Sequence, residues 1–563
     1  MTTSPTPPDA DPRRWIAFAV VLAAGFMDLL DVTIVNVAVP SIRNDLHAEY
    51  SQLEWIIAAY VLAFAAVLIT GGRLGDIYGR KRVFLTGMAG FTIASAACGL
   101  ATDPTVLIGS RFAQGAMGAL MVPQILAIIQ TTFPKEERAK AIAVYSGVGG
   151  SASAVGLALG GLLVQADLFG LAWRPIFLVN IPVGIAGFIA AWFVMSDSKS
   201  ATPPRLDPVG MVLAVSAVLL LVYPLTEGRR LDWPAWIFVM IGAAVAMFVA
   251  FLFYERGLAR TGRSPLVDLG LFRSRPFAVG VGTWLLFWIA MGGFFLVWTL
   301  FMQGGLGWSP MRAGLTAALF AVGAGVGAGL SVGVLAARYG RQVLMIGALV
   351  NAAGFALYGA MGVRYGSEFT SWQMALPLVL TGAGFGMVVA PTLDLLLGQV
   401  PQREAGSASG LLNTGQQLGT ALGVALVGVL FFTVLDRDSD LGVAAVTPEI
   451  RAELTLAGVP VQVQDQILAG FAACVHDRSA EDDPAVTPAS CQSNPVGESV
   501  ISRVLAEAGA EANAVNFAET FRYTLSYGAG MLLLVCLGFL ALPKEAKLEQ
   551  RVLEDDEPEI VTV

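Results

Sequence analysis

Fourteen mostly apolar runs, each about 20 residues long and bounded by polar or basic breaks, dominate this chain. No water satisfies the backbone inside a bilayer, so a run of this length folds as a helix that keeps its N–H and C=O bonds within itself. The runs lie near 15–37, 53–71, 83–101, 105–130, 140–164, 175–195, 208–226, 234–254, 277–302, 311–336, 342–362, 372–397, 405–432 and 521–542. With 56% hydrophobic and 13% charged residues, a soluble domain is excluded. The fold class is an all-α polytopic membrane protein.

Charge sets the orientation. If Arg13 and Arg14 start inside, roughly 22 Lys and Arg fall on the inner side and about 10 outside, the asymmetry expected of cytoplasmic loops. Both termini are then cytoplasmic. Residues Glu255 to Pro276 become a basic cytoplasmic linker, with Arg256, Arg260, Arg263, Arg273 and Arg275. Arg229 and Arg230 fall outside as an exception. The net charge of −8 is no nucleic-acid signal, because the acid is gathered in one loop and the C-terminal tail.

No GxxxxGK[ST] loop is present, so no ATP site is visible. The two histidines, His47 and His476, lie in loops, and no nucleophile–base pair or metal-ligand cluster appears. An enzyme is not expected, nor a metal, nor a cofactor. Residues 1–12 are polar and proline-rich, lack the features of a signal peptide, and read as a disordered tail.

A short basic segment, Gly72-Arg73-Leu74-Gly75-Asp76-Ile77-Tyr78-Gly79-Arg80-Lys81-Arg82, joins the second and third runs. Gly72 and Gly79 permit a tight turn, and Asp76 can accept from guanidinium groups. Gly333 to Arg341 repeats the spacing of Gly72 to Arg80, with Ala337 where Asp76 stands. Two copies, one in each half, point to an internally duplicated transporter.

This turn resembles the signature loop between spans 2 and 3 of the major facilitator superfamily, with Ile77 where the family usually has Arg or Lys. The second copy follows span 10 rather than span 8, so two extra spans, 7 and 8, sit between two six-helix halves. Fourteen spans of this kind resemble the fourteen-span drug:proton antiporter family. The resemblance implies that spans 1, 4, 9 and 12 line a central cavity, and that Gly72, Asp76, Gly79, Arg80 and Arg82 form a conformational gate.

Span 1 carries Leu30-Asp31-Val32-Thr33-Ile34-Val35-Asn36-Val37-Ala38-Val39-Pro40, similar to the family's first-span motif. Asp28 lies three residues earlier, on a similar helix face. A carboxylate inside a membrane costs several kcal/mol and is a functional candidate by default. Asp31 reads either as a coupling acid or as a structural partner of a neighbouring helix.

Span 4 contains Gly109-Ser110-Arg111-Phe112-Ala113-Gln114-Gly115, similar to the superfamily motif whose arginine is linked to proton transfer. Arg111 either takes that role or snorkels outward. Gln114, one turn on, can share its partner. In span 5, Gly156-Leu157-Ala158-Leu159-Gly160-Gly161 has Leu157 where drug antiporters usually have proline.

Trp284, Trp288, Phe295 and Trp298 recur at helical spacing in span 9. They read either as a lipid-facing or packing stripe or as a cavity wall suited to planar apolar or cationic ligands. Asn413 and Gln417 in span 13 are pocket groups or interhelical glue. Asp394 in span 12 is a second intramembrane acid, which either serves the cavity or meets cytoplasmic water. Asp31 and Asp394 are the leading coupling pair, with Asp28 behind them.

Cys474 and Cys491 share one polar stretch, and a disulfide between them is expected if it faces an oxidising compartment. The domain division expected is 1–12 tail, 13–200 first half, 201–276 inserted spans and linker, 277–542 second half with an extracellular loop 435–519 that holds small helices but no evident domain, and 543–563 acidic cytoplasmic tail. The function implied is proton-driven export of lipophilic, cationic drugs or antibiotics from the cell by alternating access, as a plasma-membrane monomer. The partners are the substrate, protons and the lipid bilayer, with no nucleic acid. Alternatives are a dedicated exporter of one endogenous metabolite or antibiotic, a proton-coupled uptake symporter, and a membrane protein without transport.

Overall fold

The computed structural model describes residues 13–542 except 49, 197–206, 229, 230, 232, 262–264, 268, 332–334, 399, 401–404, 481–487 and 493–499. The expectations for both tails, for Arg229, Arg230 and Arg263, and for Gly333 of the repeat lie outside the described residues.

The membrane helices in order are α1 (Arg14–Leu46), α2 (Tyr50–Tyr78), α3 (Arg80–Gly99), α4 (Pro104–Thr132), α5 (Lys135–Ala166) and α6 (Pro175–Val194). They continue with α7 (Pro208–Glu227), α8 (Ala235–Arg260), α9 (Arg275–Leu300), α10 (Pro310–Leu330), α11 (Arg341–Tyr365), α12 (Ala375–Gly398) and α13 (Ala405–Arg437). After α14 (Ser439–Leu456), α15 (Val461–Ala480) and α16 (Ala489–Gln492), the last and longest is α17 (Val500–Leu540). Thirteen stretches among the described residues are long and apolar enough to cross a membrane, and the 32-residue α5 packs beside them against α1 and α10.

Local chemistry places several helix starts. Asp103 caps α4, accepting from the amides of Thr105 and Val106 at 3.0 Å, with Pro104 at the first helical position. Asp207 and Pro208 repeat the arrangement at α7.

Helices α1–α6 pack into one bundle, and α9–α13 with α17 into a second. The bundles meet along α5 against α10 and α2 against α13. Helices α7 and α8 pack on each other and, from outside, on α2 and α13. Glycine permits close crossings: Gly423 of α13 lies so close to the Ile289 carbonyl of α9 that a side chain there would collide with it.

Two expectations need correction. Gly72 is not part of the turn. Helix α2 continues through it to Tyr78, and the chain reverses at Gly79 alone, whose φ of 99° suits only glycine. The stretch 435–519, expected as a loop holding small helices without an evident domain, is in its described residues a packed helical unit. Helices α13 and α17 extend beyond the membrane, and α14, α15 and α16 complete a helical cap on them. At 1.5 Å per residue, the 41-residue α17 is about 60 Å long, twice a bilayer's hydrocarbon core. The cap has its own apolar core, with Val446, Ile450 and Leu454 of α14 against Leu468, Phe471 and Val475 of α15 and Leu505 of α17. Cys474 and Cys491 are joined by a disulfide that ties α15 to α16.

Candidate functional site

A cavity of about 200 Å³ lies between the two bundles. The N-terminal bundle contributes Asp28, Tyr60, Phe64 and Tyr145, and the C-terminal bundle Trp284, Trp288, Phe295, Asn413, Gln416 and Gln417. Phe320 and Phe385 close the aromatic wall, with Trp288 set edge-on to Phe385 at 5.7 Å. The Trp288 indole N–H is buried without a hydrogen-bond acceptor.

Among the described residues, Asp28 is the one carboxylate lining this cavity. It is 2% exposed, and the Tyr60 hydroxyl donates to its Oδ1 at 2.6 Å. Asp31 points away from the cavity into the first bundle. Its oxygens accept from Arg111 Nη1 at 2.5 Å, Gln114 Nε2 at 2.8 Å and Asn180 Nδ2 at 2.9 Å. Arg111 also donates to the Ile56 carbonyl and to Gln114 Oε1, and its guanidinium lies 4.3 Å from the Tyr60 ring centre. Arg111 therefore does not snorkel; a completed set of donors and acceptors holds it inside. Tyr60 stands between the cavity acid and the buried ion pair, touching both.

Asp394 is elsewhere. It accepts from Arg138 Nε of α5 at 3.1 Å, across the boundary between the bundles and at the end carrying the Gly79 turn. Gln130 donates to the Leu397 and Val400 carbonyls, and Ser409 to the Pro123 carbonyl, at the same end. Among the described residues, the hydrogen bonds joining the two bundles all lie here. Toward the opposite end the contact is apolar, with Gly161 of α5 against Met311 of α10.

Neither acid expected to lead coupling lines the cavity, and this is a correction. Asp31 is turned away because α4 and α6 supply its partners. Asp394 is turned away because its neighbour Leu393 takes the cavity-facing position and Arg138 draws the carboxylate across the boundary. Trp298 is corrected too. Its indole donates to the Tyr358 hydroxyl at 3.0 Å and stays within the C-terminal bundle.

At the turn, Arg80 pairs with Asp76 at 2.9 Å and both are buried, while Arg82 is exposed. Arg73 reaches the Pro265 carbonyl of the linker. The second turn differs, since Arg341 donates to the Leu540 and Leu542 carbonyls at the end of α17. At the cap end, Arg174 and the Trp173 indole bond Asp45 at 2.6 and 3.0 Å. Partial burial works to raise that carboxyl, but these donors outweigh it and hold it below the usual carboxylate range.

Sequence reasoning gave no role to Tyr60, Tyr145, Asn180 or Arg138. Tyr60 sits in an apolar run with nothing local to mark it. Arg138 lies among loop-like charges, and only its opposite number across the boundary gives it meaning.

The comparisons with known proteins agree with this architecture. The chain is 39% identical over 524 residues to the "Probable actinorhodin transporter" of Streptomyces coelicolor, covering 93% of this chain and 90% of that protein. It is 35% identical over 422 residues to the "Tetracenomycin C resistance and export protein" of Streptomyces glaucescens, covering 74% and 76%. The crystal structure of the human organic anion transporter MFSD10 (TETRAN) shares the fold, with a TM-score of 0.52 at 14% identity over 95% of this chain and 100% of that one. The model of the Major Facilitator Superfamily matches residues 21–424, and the chain belongs to that family.

Proposed function

We propose that this protein is a proton-coupled exporter of lipophilic, cationic, largely aromatic drugs or antibiotics, working by alternating access. The observation that carries the reading is a single carboxylate, Asp28, set in an aromatic cavity between two bundles. Rings stack on Trp284 and Trp288, amide groups of Asn413 and Gln417 supply hydrogen bonds, and Asp28 attracts a cation. Proton and cation then compete for one carboxylate, which is sufficient for exchange. Tyr60 relays the charge state of Asp28 to the Arg111–Asp31 pair behind it. The names of the relatives support export rather than uptake.

The same reading takes the membrane as the plasma membrane, the Gly79 turn and both termini as cytoplasmic, and the cap as external. It takes the division into 13–200, 201–276 and 277–542 as the working units, the monomer as the transporting species and the proton gradient as the energy source, with no cofactor.

A second reading, a dedicated exporter of one antibiotic made by the same cell, is favoured by the likeness to the Streptomyces coelicolor protein over 93% of this chain. In everted vesicles acidified inside, adding a planar aromatic cation should discharge the pH gradient, as read by a pH-sensitive dye. A gradient that survives a broad panel of such compounds would overturn antiport. Accumulation by intact cells would indicate symport. Response to one compound alone would select the second reading.

A further inference from the structure

We propose that Asp207 and Glu255, on the inserted helices α7 and α8, form a binding site for one proton that fastens the linker between the halves to the turn end of the molecule. The site lies outside both bundles and is separate from the central cavity.

Both carboxyls are buried, Asp207 at 6% exposure and Glu255 at 0%. One oxygen of each is satisfied. Asp207 Oδ1 accepts from the Gly210 amide at 3.0 Å and from the Tyr254 hydroxyl at 2.9 Å. Glu255 Oε2 accepts from the Val267 amide at 3.3 Å. The other two oxygens, Asp207 Oδ2 and Glu255 Oε1, meet no donor. They flank one point, because a methyl group on Gly210 would collide with both. Gly210 is therefore what allows the two acids to face each other.

Two ionised carboxylates cannot share a buried point without a large electrostatic cost. A single proton removes it: one carboxyl becomes an acid and donates to the other, and both orphaned oxygens are satisfied. A hard cation takes about six to eight oxygen ligands. Among the described residues two carboxyls and one phenol converge here, and no cluster of three or more metal-binding side chains occurs. The occupant that fits is a proton.

Among the described residues, the surrounding charges do not neutralise the pair. On α8, Arg256 and Arg260 are exposed. On α2, Asp76 is engaged by Arg80, and Arg73 donates to the Pro265 carbonyl. Helix α13 has no charged residue between Ala405 and Leu435. Among the described residues, Tyr254 is the other titratable group at the pair, and it already donates to Asp207.

The proton has mechanical leverage. Residues 265–267 are gripped from two sides, by Glu255 through Val267 and by Arg73 through Pro265. Leu266 and Val267 are buried in a cluster with Ile69 of α2 and Ala214 of α7, against which Leu411 of α13 packs. This is where the two bundles touch. Losing the proton sets two negative charges face to face, drives Glu255 outward and releases the linker from the junction.

The test uses the full-length protein in lipid. Infrared difference spectra should show a carboxylic-acid C=O band at neutral pH that is lost in Glu255→Gln and again in Asp207→Asn, yet remains in Asp28→Asn. If both variants keep every acid band of the parent, both carboxyls are ionised and the proposal falls. A second measurement needs no variant. Hydrogen exchange at the Leu266 and Val267 amides, corrected for intrinsic rate, should accelerate as pH rises through the loss of that band. Exchange that ignores the band's titration overturns the fastening. A band that responds to sodium at fixed pH overturns the proton as occupant.

Discussion

Asp31 carries the counter-charge of an arginine buried in the membrane, and Asp28 carries none. This difference separates two residues that look alike in the chain. Removing one partner of a buried pair leaves an uncompensated charge, at a cost of about 3–5 kcal/mol. Asp31→Asn should therefore lower the thermal midpoint of the purified protein clearly, while Asp28→Asn should leave it near the parent value. The functional effect should run the other way for binding. Asp28→Asn should weaken a cationic substrate by about 10- to 100-fold, the equivalent of one charged contact, and leave neutral aromatic compounds much less affected. Equal losses for cationic and neutral ligands in a binding titration would remove Asp28 from the site. The three-residue spacing of Asp28 and Asp31 is legible in the sequence, but it sets the side chains about 60° apart on the helix. That angle lets one face the cavity and the other face α4 and α6. Which acid does which depends on partners far away in the chain, Arg111 and Asn180, and no local pattern contains them. The same applies to Trp298, whose place in the aromatic stripe says nothing of Tyr358.

At the scale of helices the sequence is more informative, because an apolar run long enough to span has one folded solution. The membrane runs near 15–37 through 405–432 correspond to observed helices, including the inserted pair. The gap falls on residues 435–519, where alternating polar and apolar stretches suggest small helices within a loop but not that they pack into a cap. Hydropathy marks helices that meet lipid, and it is blind to helices such as α14 and α15 that bury one side on each other in water. The cap should depend on its disulfide locally. Breaking Cys474–Cys491 releases a closed segment whose chain entropy is worth about 3 kcal/mol. Cys491→Ser, or a reductant, should speed proteolysis after α15 severalfold while barely shifting the unfolding of the membrane bundle. The apolar cluster of Val446, Phe471 and Val475 should keep α14 and α15 together. Equal protease resistance with and without reductant would show that the bridge contributes little.

For the whole molecule the decisive asymmetry is where the polar bonds between the bundles lie. Arg138→Gln should loosen the turn end and raise the labelling rate of a cysteine placed at Ser409, by about tenfold for a loss near 1.4 kcal/mol. Exchanging the charges, Arg138→Asp with Asp394→Arg, should restore the slow rate. If the exchanged pair labels as fast as the single variant, the ion pair is not the fastening. The duplicated turn shows in the sequence that two halves exist, but how they are held together does not, since Gln130, Arg138 and Ser409 bond to carbonyls and acids of the other half.

One consequence concerns access from the two sides of the membrane. Opening the turn end requires breaking an ion pair and several hydrogen bonds, whereas at the cap end the contact seen among the described residues is apolar. With the cap outside, the resting protein should admit a visitor more readily from the medium than from the cytosol. A bulky aromatic cation too polar to cross lipid, added to intact cells, should therefore block efflux by settling against Trp284 and Trp288. The same compound sealed inside should act only as fast as the molecule turns over. Drug discovery against such a pump would then face no permeability barrier, because the vulnerable face is the one already exposed to the surroundings.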